Sequence, residues 1–232
     1  MTAMTLGIMQ PYFMPYIGYF QLMKAADKYI IYDDVAYIKR GWITRNNILI
    51  NGEKHLFTIT LSGASINKFI NEIEINDNFI NFLKTLKFNY TKAPFYAETM
   101  KLMEEITSFE DKNLTAFITN SFKVILKYLN IDTELILSSS LNKDCSLKGK
   151  EKIIHICELL GAQTYLNAIG GQELYDGDEF KRHNIDLKFL KTEEITYKQF
   201  KNNFVPNLSI IDVLMFNPPE IINEMLNNYK FV

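Results

Sequence analysis

The 232-residue chain contains few of the residues from which metal centres, disulfide frameworks and catalytic triads are built. Its two cysteines, Cys145 and Cys157, lie apart and belong to no CxxC or Cys/His pair. Their placement argues against a zinc site and against a disulfide framework. None of the three histidines has a serine or cysteine partner at a recognised motif, so a hydrolase triad has little support.

Strong charge of one sign and long apolar runs are also missing. The formal net charge is -2 and the pI is near 6.0, which gives no general field to attract nucleic acid. No run approaches the roughly 18 apolar residues of a membrane-spanning helix, and no apolar core follows basic residues at the N-terminus. We therefore expect no nucleic-acid partner, no membrane span and a cytoplasmic location.

The opening of the chain predicts a strand, a turn and a helix in succession. Residues 6–9 form a short apolar run, and Pro11 and Pro15 exclude a helix interior from residues 10–15. Apolar side chains then recur at helical spacing over residues 16–26. Strand, turn and helix in this order are typical of the first unit of an α/β fold.

Two acids follow the second predicted strand. Residues 29–32, Tyr-Ile-Ile-Tyr, form a continuous apolar run that is typical of a strand buried on both faces. The run is followed at once by Asp33 and Asp34. The carboxyl end of a parallel strand is where open α/β sheets bind ligands, so these acids are candidate site residues.

A segment that combines cations with aromatic and amide side chains comes next. It contains Lys39, Arg40, Trp42, Arg45 and Asn46. This mixture is too polar for a core, and loops of this kind beside a rigid sheet usually bind ligands. The alternative is a surface ion-pair cluster in which Trp42 fills the core.

The three cations would suit a diphosphate, because each charge-assisted hydrogen bond contributes about 1.5–3 kcal/mol. Trp42, Tyr12 and Tyr37 offer flat faces to a sugar ring or a base. Three roles stay open for the two acids. One acts as a general base, both hold Mg²⁺ on the diphosphate, or they pair with Lys39 and Arg40.

The remaining pattern predicts an α/β fold of three layers, Rossmann-like, with a mostly parallel sheet of about five core strands. Asn51-Gly52 predicts a tight β-hairpin turn, and residues 78–130 carry three helical apolar stripes. Later strands are predicted at residues 133–137, 164–167 and 187–190, the last of the chain. We expect residues 1–232 to form a single domain in which residues 78–130 are a helical insertion or cover.

Several segments together resemble one known family. They are MQPYFMPYIGYFQLMKAADKYIIYDDVAYIKRGWITRN (9–46), LFTITL (56–61), KAPFY (92–96), CELLGAQTYLNAIGGQELYD (157–176) and NLSIIDVLMFN (207–217). They resemble the WbqC-like proteins, whose genes are typically found with those for O-antigen, a part of lipopolysaccharide, and other surface polysaccharides. The resemblance implies an enzyme that makes or modifies nucleotide-activated sugars, often amino sugars.

Residues 15–19, PYIGY, are more loosely similar to the HxGH-type turn of the nucleotidylyltransferases. The glycine, Gly18, is present, but tyrosines stand where that motif has histidines. Glycine permits close approach to phosphate, and a helix N-terminus favours anions. A neutral tyrosine stabilises growing phosphate charge less than His⁺ does, so the likeness supports nucleotide binding more than adenylyl transfer. The alternative is an aromatic turn that packs on the sheet.

We therefore expect a transferase that adds an acyl or aminoacyl group to the amino group of a nucleotide-linked amino sugar. A nucleotidylyl or glycosyl transferase and a non-catalytic sugar-nucleotide-binding scaffold stay open. The predicted catalytic residues are Asp33, Asp34 and Lys39, without assigned metal ligands. The predicted substrate-binding residues are Gln10, Tyr12, Tyr16, Gly18, Arg40, Trp42, Arg45 and Asn46. ATP and Mg²⁺ stay open as cofactors, and so does a homodimer.

Overall fold

A computed structural model describes residues 3–201 and 203–232. The strands are β1 (Thr5–Met9), β2 (Lys28–Ile31), β3 (Arg45–Ile50), β4 (Glu53–Thr58), β5 (Leu61–Ser62), β6 (Glu74–Ile75), β7 (Glu134–Leu137), β8 (Thr164–Ala168), β9 (Asp186–Thr192) and β10 (Tyr229–Phe231). The helices are α1 (Ile17–Ala25), α2 (Ile80–Tyr90), α3 (Tyr96–Thr107), α4 (Leu114–Tyr128), α5 (Gly149–Leu160), α6 (Gly177–Arg182), α7 (Ile210–Phe216) and α8 (Pro219–Met225). The chain is thus an α/β protein, as predicted.

The central sheet has six strands in the order β10-β9-β8-β1-β2-β7, and every neighbouring pair except β9 with β10 is parallel. From β1 the chain adds β2 and β7 on one side, then returns to add β8 and β9 on the other. The direction of winding therefore reverses between β1 and β8. Loops that leave two such strands run to opposite sides and open a crevice at their carboxyl ends.

Alternate residues of the inner strands pack into two apolar clusters. Tyr29 and Ile31 of β2 belong to a cluster that includes α1 and α4, whereas Ile30 belongs to a second cluster with α5. Successive side chains of a strand point to opposite faces, so helices cover both faces of the sheet. Burial on both faces explains why β2 is apolar from Tyr29 to Ile31.

Local signals placed most elements correctly. The hairpin of β3 and β4 turns at Asn51 and Gly52, whose φ angles of 51° and 82° are the positive values that the Asn-Gly pair predicts. Gly161 ends α5 at a φ of 68°, as a left-handed C-cap. Helices α2, α3 and α4 confirm the helical pattern of residues 78–130. Their role as an insertion into one domain stays a prediction.

One prediction about the sheet is wrong. Residues 187–190 were expected to be the last strand, but β10 pairs antiparallel with β9 at the sheet edge. Strand β10 has only three residues, too few to show a periodic pattern. Among the helices that the structure describes, none is long and apolar enough to cross a membrane.

Candidate functional site

A cavity of about 670 Å³ lies at the carboxyl ends of β1, β2 and β8, where the winding reverses. We call it the larger cavity. Its polar and aromatic lining consists of Gln10, Tyr12, Tyr16, Tyr19, Tyr32, Trp42, Asn167 and Tyr175. The apolar side chains of Ile38 and Leu174, both well exposed, also line it. The crevice that the strand order creates is therefore an aromatic pocket.

A second cavity of about 360 Å³ adjoins the first. Tyr12, Tyr16 and Trp42 line both cavities, so the two share a wall. The remaining lining of this smaller cavity is Asn46, Asn47 and Asn207. We call the two cavities together the cleft. Predicted binding residues Gln10, Tyr12, Tyr16, Trp42 and Asn46 all line it.

The turn after β1 is fixed from several sides. The backbone N–H of Phe13 donates to the Ile43 carbonyl at 2.8 Å. Met14, at a φ of 48°, offers its carbonyl to Asn46 Nδ2 at 2.6 Å and to Ser209 Oγ at 2.8 Å. These bonds hold Tyr12 and the residues beside it in place. Asn46 is 2% exposed, and its hydrogen bond to Met14 stabilises the turn that forms a wall of the cleft.

Arg45 contacts Trp42, which lines both cavities, although Arg45 itself lines neither. The guanidinium carbon of Arg45 lies 5.4 Å from the centre of the Trp42 ring, a cation–π distance. The Tyr12 ring centre lies 6.4 Å from that of Trp42. One guanidinium nitrogen of Arg45 also donates to the carbonyl of Arg40. Arg45 is therefore the predicted cation that the structure brings to the cleft.

The phenols of the cleft are held in their protonated form. Burial raises the pKa of Tyr12, Tyr16, Tyr32 and Tyr175 above the ordinary tyrosine value of 10.0. At Tyr12 the neighbouring Tyr16 raises the pKa further, and the charge of Arg45 lowers it. At neutral pH these side chains donate hydrogen bonds and do not act as bases.

Asp33 does not line either cavity. It is fully buried, and its carboxylate accepts the backbone N–H of Ser139 at 2.9 Å and the Ser139 hydroxyl at 2.6 Å. Its own carbonyl accepts the N–H of Asn71 at 3.1 Å. Asp33 therefore joins the ends of β2 and β7 and the loop around residue 71.

Asp34 pairs with two lysines that come much later in the chain. Its Oδ2 accepts from Lys143 at 2.8 Å and from Lys152 at 3.0 Å, and both ammonium groups are nearly buried. Burial raises the carboxyl pKa, but the bonds from these lysines outweigh it and leave the pKa below its usual value. Lys39 and Arg40 were the partners considered from the sequence; they are exposed and line neither cavity.

Gly18 lies inside α1 and serves packing. A Cβ there would lie 2.4 Å from Cε2 of Tyr16 and 2.6 Å from Oγ1 of Thr192. The residue therefore permits close approach of α1 to β9 and of the Tyr16 ring to the helix. It does not line either cavity.

The lining of the cleft carries no full charge. Within residues 3–201 and 203–232, no Lys, Arg, His, Asp or Glu lines either cavity. In the same part of the chain, no three His, Cys, Asp or Glu side chains are grouped so that they could hold a metal ion. Both carboxylate oxygens of Asp33 accept from Ser139, and Oδ2 of Asp34 accepts from two lysines. Oδ1 of Asp34 is buried and has no partner among the described residues, but Asp33 has no oxygen left to share a Mg²⁺ ion with it.

Asn167 and Tyr175 are cleft residues that sequence reasoning missed. Asn167 is the penultimate residue of β8 and is 5% exposed, close to the short turn Ile169–Gly171. Gly170-Gly171 lies in this turn, and its sequence lacks the spacing of a dinucleotide-binding motif. A polar residue at the end of a predicted strand was the available signal. It became meaningful only with the strand order, which places β8 next to β1.

Comparison with known proteins identifies the family. The sequence model of the WbqC-like protein family matches residues 10–224, so the chain belongs to that family. The uncharacterized protein Rv1507c of Mycobacterium tuberculosis is 28% identical over 216 residues, which cover 91% of this chain and 92% of that protein. No solved structure matches significantly. The matches confirm the family, and the substrate and reaction are proposals.

Proposed function

We propose that the chain binds a nucleotide-linked amino sugar in the cleft and transfers an acyl or aminoacyl group to the sugar amine, for surface polysaccharide synthesis. The single observation that carries the proposal is the aromatic crevice at the carboxyl ends of β1 and β8. Numbered in chain order, the five parallel strands have the spatial order 3-2-1-4-5. This order supports a Rossmann-like interpretation, in which the crevice at the switch point binds a nucleotide. The family resemblance supplies the sugar pathway.

The aromatic rings of the cleft suit the rings of such a ligand. Tyr12, Tyr16 and Trp42 present faces and edges to the cavities, and Trp42 is 53% exposed. Stacking of a base on an aromatic side chain contributes about 1–3 kcal/mol. Arg45 adds a cation at the border, where it would meet phosphate.

Acyl transfer would use the cleft's phenols as hydrogen-bond donors. The sugar amine attacks the carbonyl carbon of an activated acyl donor, the C–N bond of the amide forms and the bond to the leaving group breaks. The leaving group departs with its electron pair, and the proton that the amine loses passes to the leaving group or to solvent. Negative charge grows on the carbonyl oxygen, and a phenol that donates to this oxygen stabilises it. The raised pKa values of Tyr12 and Tyr16 keep them protonated for this role. In this proposal Asp33 and Asp34 support the site without touching the substrate.

One observation favours a second candidate, a non-catalytic sugar-nucleotide-binding protein. In the described part of the chain, the lining of the cleft includes no carboxylate, imidazole, thiol or amine. A transferase usually has such a group within reach of the proton that the amine releases. Binding without turnover would follow if no base enters the cleft.

The proposal is tested by binding and turnover together. Isothermal titration with UDP- and dTDP-linked amino sugars should give saturable binding. Incubation of the bound sugar with ATP and candidate carboxylic or amino acids, or with their CoA thioesters, should give a product whose mass increases by one acyl group. Binding without any product supports the second candidate, and the lack of binding to all these sugars contradicts both.

A further inference from the structure

We propose that the cleft divides a nucleotide sugar, with its base in the larger cavity beside Asn167, its sugar in the smaller cavity beside Asn207, and its diphosphate at Arg45 between them. The inference rests on the proposed function. It adds which residues recognise the base, the diphosphate and the sugar of the ligand. It follows from the shared wall, the distribution of charge and the hydrogen-bonding state of the amides.

The shared wall means that one ligand can occupy both cavities. Tyr12, Tyr16 and Trp42 line each of them, so a molecule that passes from one to the other crosses these rings. The larger cavity of about 670 Å³ has room for a nucleoside, and the smaller of about 360 Å³ for a hexose. A two-part ligand with a flexible link matches this shape.

Charge places the diphosphate between the cavities. Burying an anion among uncharged side chains would be costly, and within the described residues neither cavity has a charged lining. Arg45 lines neither cavity, but its guanidinium carbon lies 5.4 Å from the centre of the shared Trp42 ring. A guanidinium has five N–H donors, and in the described part of the chain only one of its nitrogens has a partner, the Arg40 carbonyl, so N–H groups remain for phosphate.

Asn167 presents a fixed amide to the larger cavity. Its Oδ1 accepts the N–H of Ala168 at 2.7 Å, and its Nδ2 donates to the Tyr165 hydroxyl at 3.1 Å. An amide nitrogen carries two hydrogens, so one N–H is left for a ligand. Gly171 packs against this amide, because a Cβ there would lie 2.7 Å from Nδ2. A rigid donor among aromatic rings suits the edge of a stacked base.

The smaller cavity offers amides of another kind. Asn207 lines this cavity together with Asn46 and Asn47. Asn207 is exposed and sits at a φ of 58°, in a left-handed conformation that asparagine tolerates. A side-chain amide can both donate and accept, which matches the hydroxyl and amino groups of a sugar. This cavity therefore suits the sugar better than a flat base.

The experiment compares a whole ligand with its nucleoside diphosphate. The probes are UDP-linked and dTDP-linked glucosamine, whose amino group is free, then UDP or dTDP, with binding measured by calorimetry. Asn207→Ala should lower the affinity for the sugar nucleotide about tenfold and leave the affinity for the nucleoside diphosphate unchanged. Gly171→Ala, which displaces the Asn167 amide, should lower the affinities for both probes by the same factor. Gly170→Ala is the matched control, because a Cβ there meets no atom within 4 Å.

Arg45→Gln should lower the affinity for both probes about tenfold or more and reduce the salt dependence of their binding. The affinity for the free nucleoside should not change. Arg182→Gln removes an exposed arginine that lines neither cavity and is the control. Asn167→Ala, which removes the amide and adds no charge, replaces Gly171→Ala if that variant fails to fold. The division is overturned if Asn207→Ala lowers the affinities for the sugar nucleotide and the nucleoside diphosphate equally. It is also overturned if Gly171→Ala lowers the affinity for the sugar nucleotide alone. Failure of the wild-type chain to bind either sugar nucleotide overturns the proposed function itself.

Discussion

The Asp34 carboxylate accepts a hydrogen bond from the Lys152 ammonium group at 3.0 Å, and the same ammonium group lies 5.0 Å from the centre of the Tyr32 ring. Tyr32 lines the larger cavity. The acid at the end of β2 thus supports a wall of the cleft through a lysine on α5. Lys143 binds the same carboxylate from the loop after β7, so one acid fixes two segments.

Asp34→Asn should destabilise the fold. The change leaves two nearly buried ammonium groups without their anion, and breaking a buried pair costs about 3–5 kcal/mol. Because the pKa of Asp34 is lowered on folding, its contribution is present at neutral pH and is lost as the pH falls below the ordinary value of 3.8. Urea unfolding should therefore show a large gap between wild type and variant at pH 7 that narrows towards pH 3.

The matched control is Glu193→Gln, since Glu193 pairs with Lys230 at 3.8 Å on the exposed surface. We expect no measurable change in stability from that variant, because exposed pairs contribute about 0–1 kcal/mol. A stable Asp34→Asn variant that has lost turnover would contradict the supporting role and restore the catalytic one.

Asp212 should respond to pH in the opposite direction. It is fully buried on α7 and accepts from Tyr197 at 2.6 Å, Gln199 at 2.7 Å and Tyr90 at 2.8 Å. Burial raises its pKa, and these bonds only partly oppose it. A carboxyl whose pKa rises on folding stabilises the fold most at low pH, and this contribution is lost as the pH rises through the folded-state value.

Asp212→Asn removes that titration. The free energy of unfolding of the variant minus that of wild type should increase as the pH rises from 3 to 8, because only wild type loses stability through this titration. The altered hydrogen bonds add an offset that does not depend on pH. Chemical unfolding at each pH measures the difference. A difference that does not change with pH, or that changes with the opposite sign, would show that Asp212 folds with an ordinary pKa.

Gly18→Ala should destabilise the fold and alter the cleft together. The added Cβ would lie within 2.6 Å of atoms of Tyr16 and Thr192, and forced repacking of this kind typically costs about 1–3 kcal/mol. Displacement of the Tyr16 ring should then weaken binding of the sugar nucleotide. Gly177→Ala on α6 is the control, since its Cβ would meet nothing within 4 Å. Thermal melting and calorimetry measure the two effects, and unchanged stability in Gly18→Ala would contradict the packing role.

Trp42→Ala should weaken sugar-nucleotide binding about tenfold or more with little loss of stability. The side chain is 53% exposed, so few packing contacts are lost, whereas the stacking surface and the Arg45 contact disappear. Phe88→Ala serves as the control, because Phe88 is 84% exposed on α2 and lines neither cavity of the cleft. Unchanged affinity in Trp42→Ala would place the ligand elsewhere.

The sequence predicted the part of the cleft that is contiguous in the chain. The turn between β1 and α1 contains Gln10, Tyr12 and Tyr16, and Trp42 follows β2. The strand, proline and helix signals that predict these elements are all local in the sequence. The same local signals predicted the α/β class and most elements. Sites that depend on neighbouring residues can be predicted in this way.

The rest depends on contacts between distant residues. Asn167 reaches the cleft only because β8 returns beside β1, and strand order leaves no local trace in the sequence. Asp34 was expected to pair, if at all, with Lys39 and Arg40, but its partners Lys143 and Lys152 lie on elements that the sheet brings together. For the same reason the buried, structural state of Asp33 could not be read from two adjacent acids.

Trp42 is the one tryptophan of the chain and stands in the wall shared by both cavities, so its fluorescence reports on the cleft directly. The most direct measurement is a titration of this emission with a UDP- or dTDP-linked amino sugar, in parallel with calorimetry. The account predicts a saturable change in emission with the same dissociation constant as the calorimetric one. Saturable calorimetric binding that leaves the Trp42 emission unchanged would contradict it.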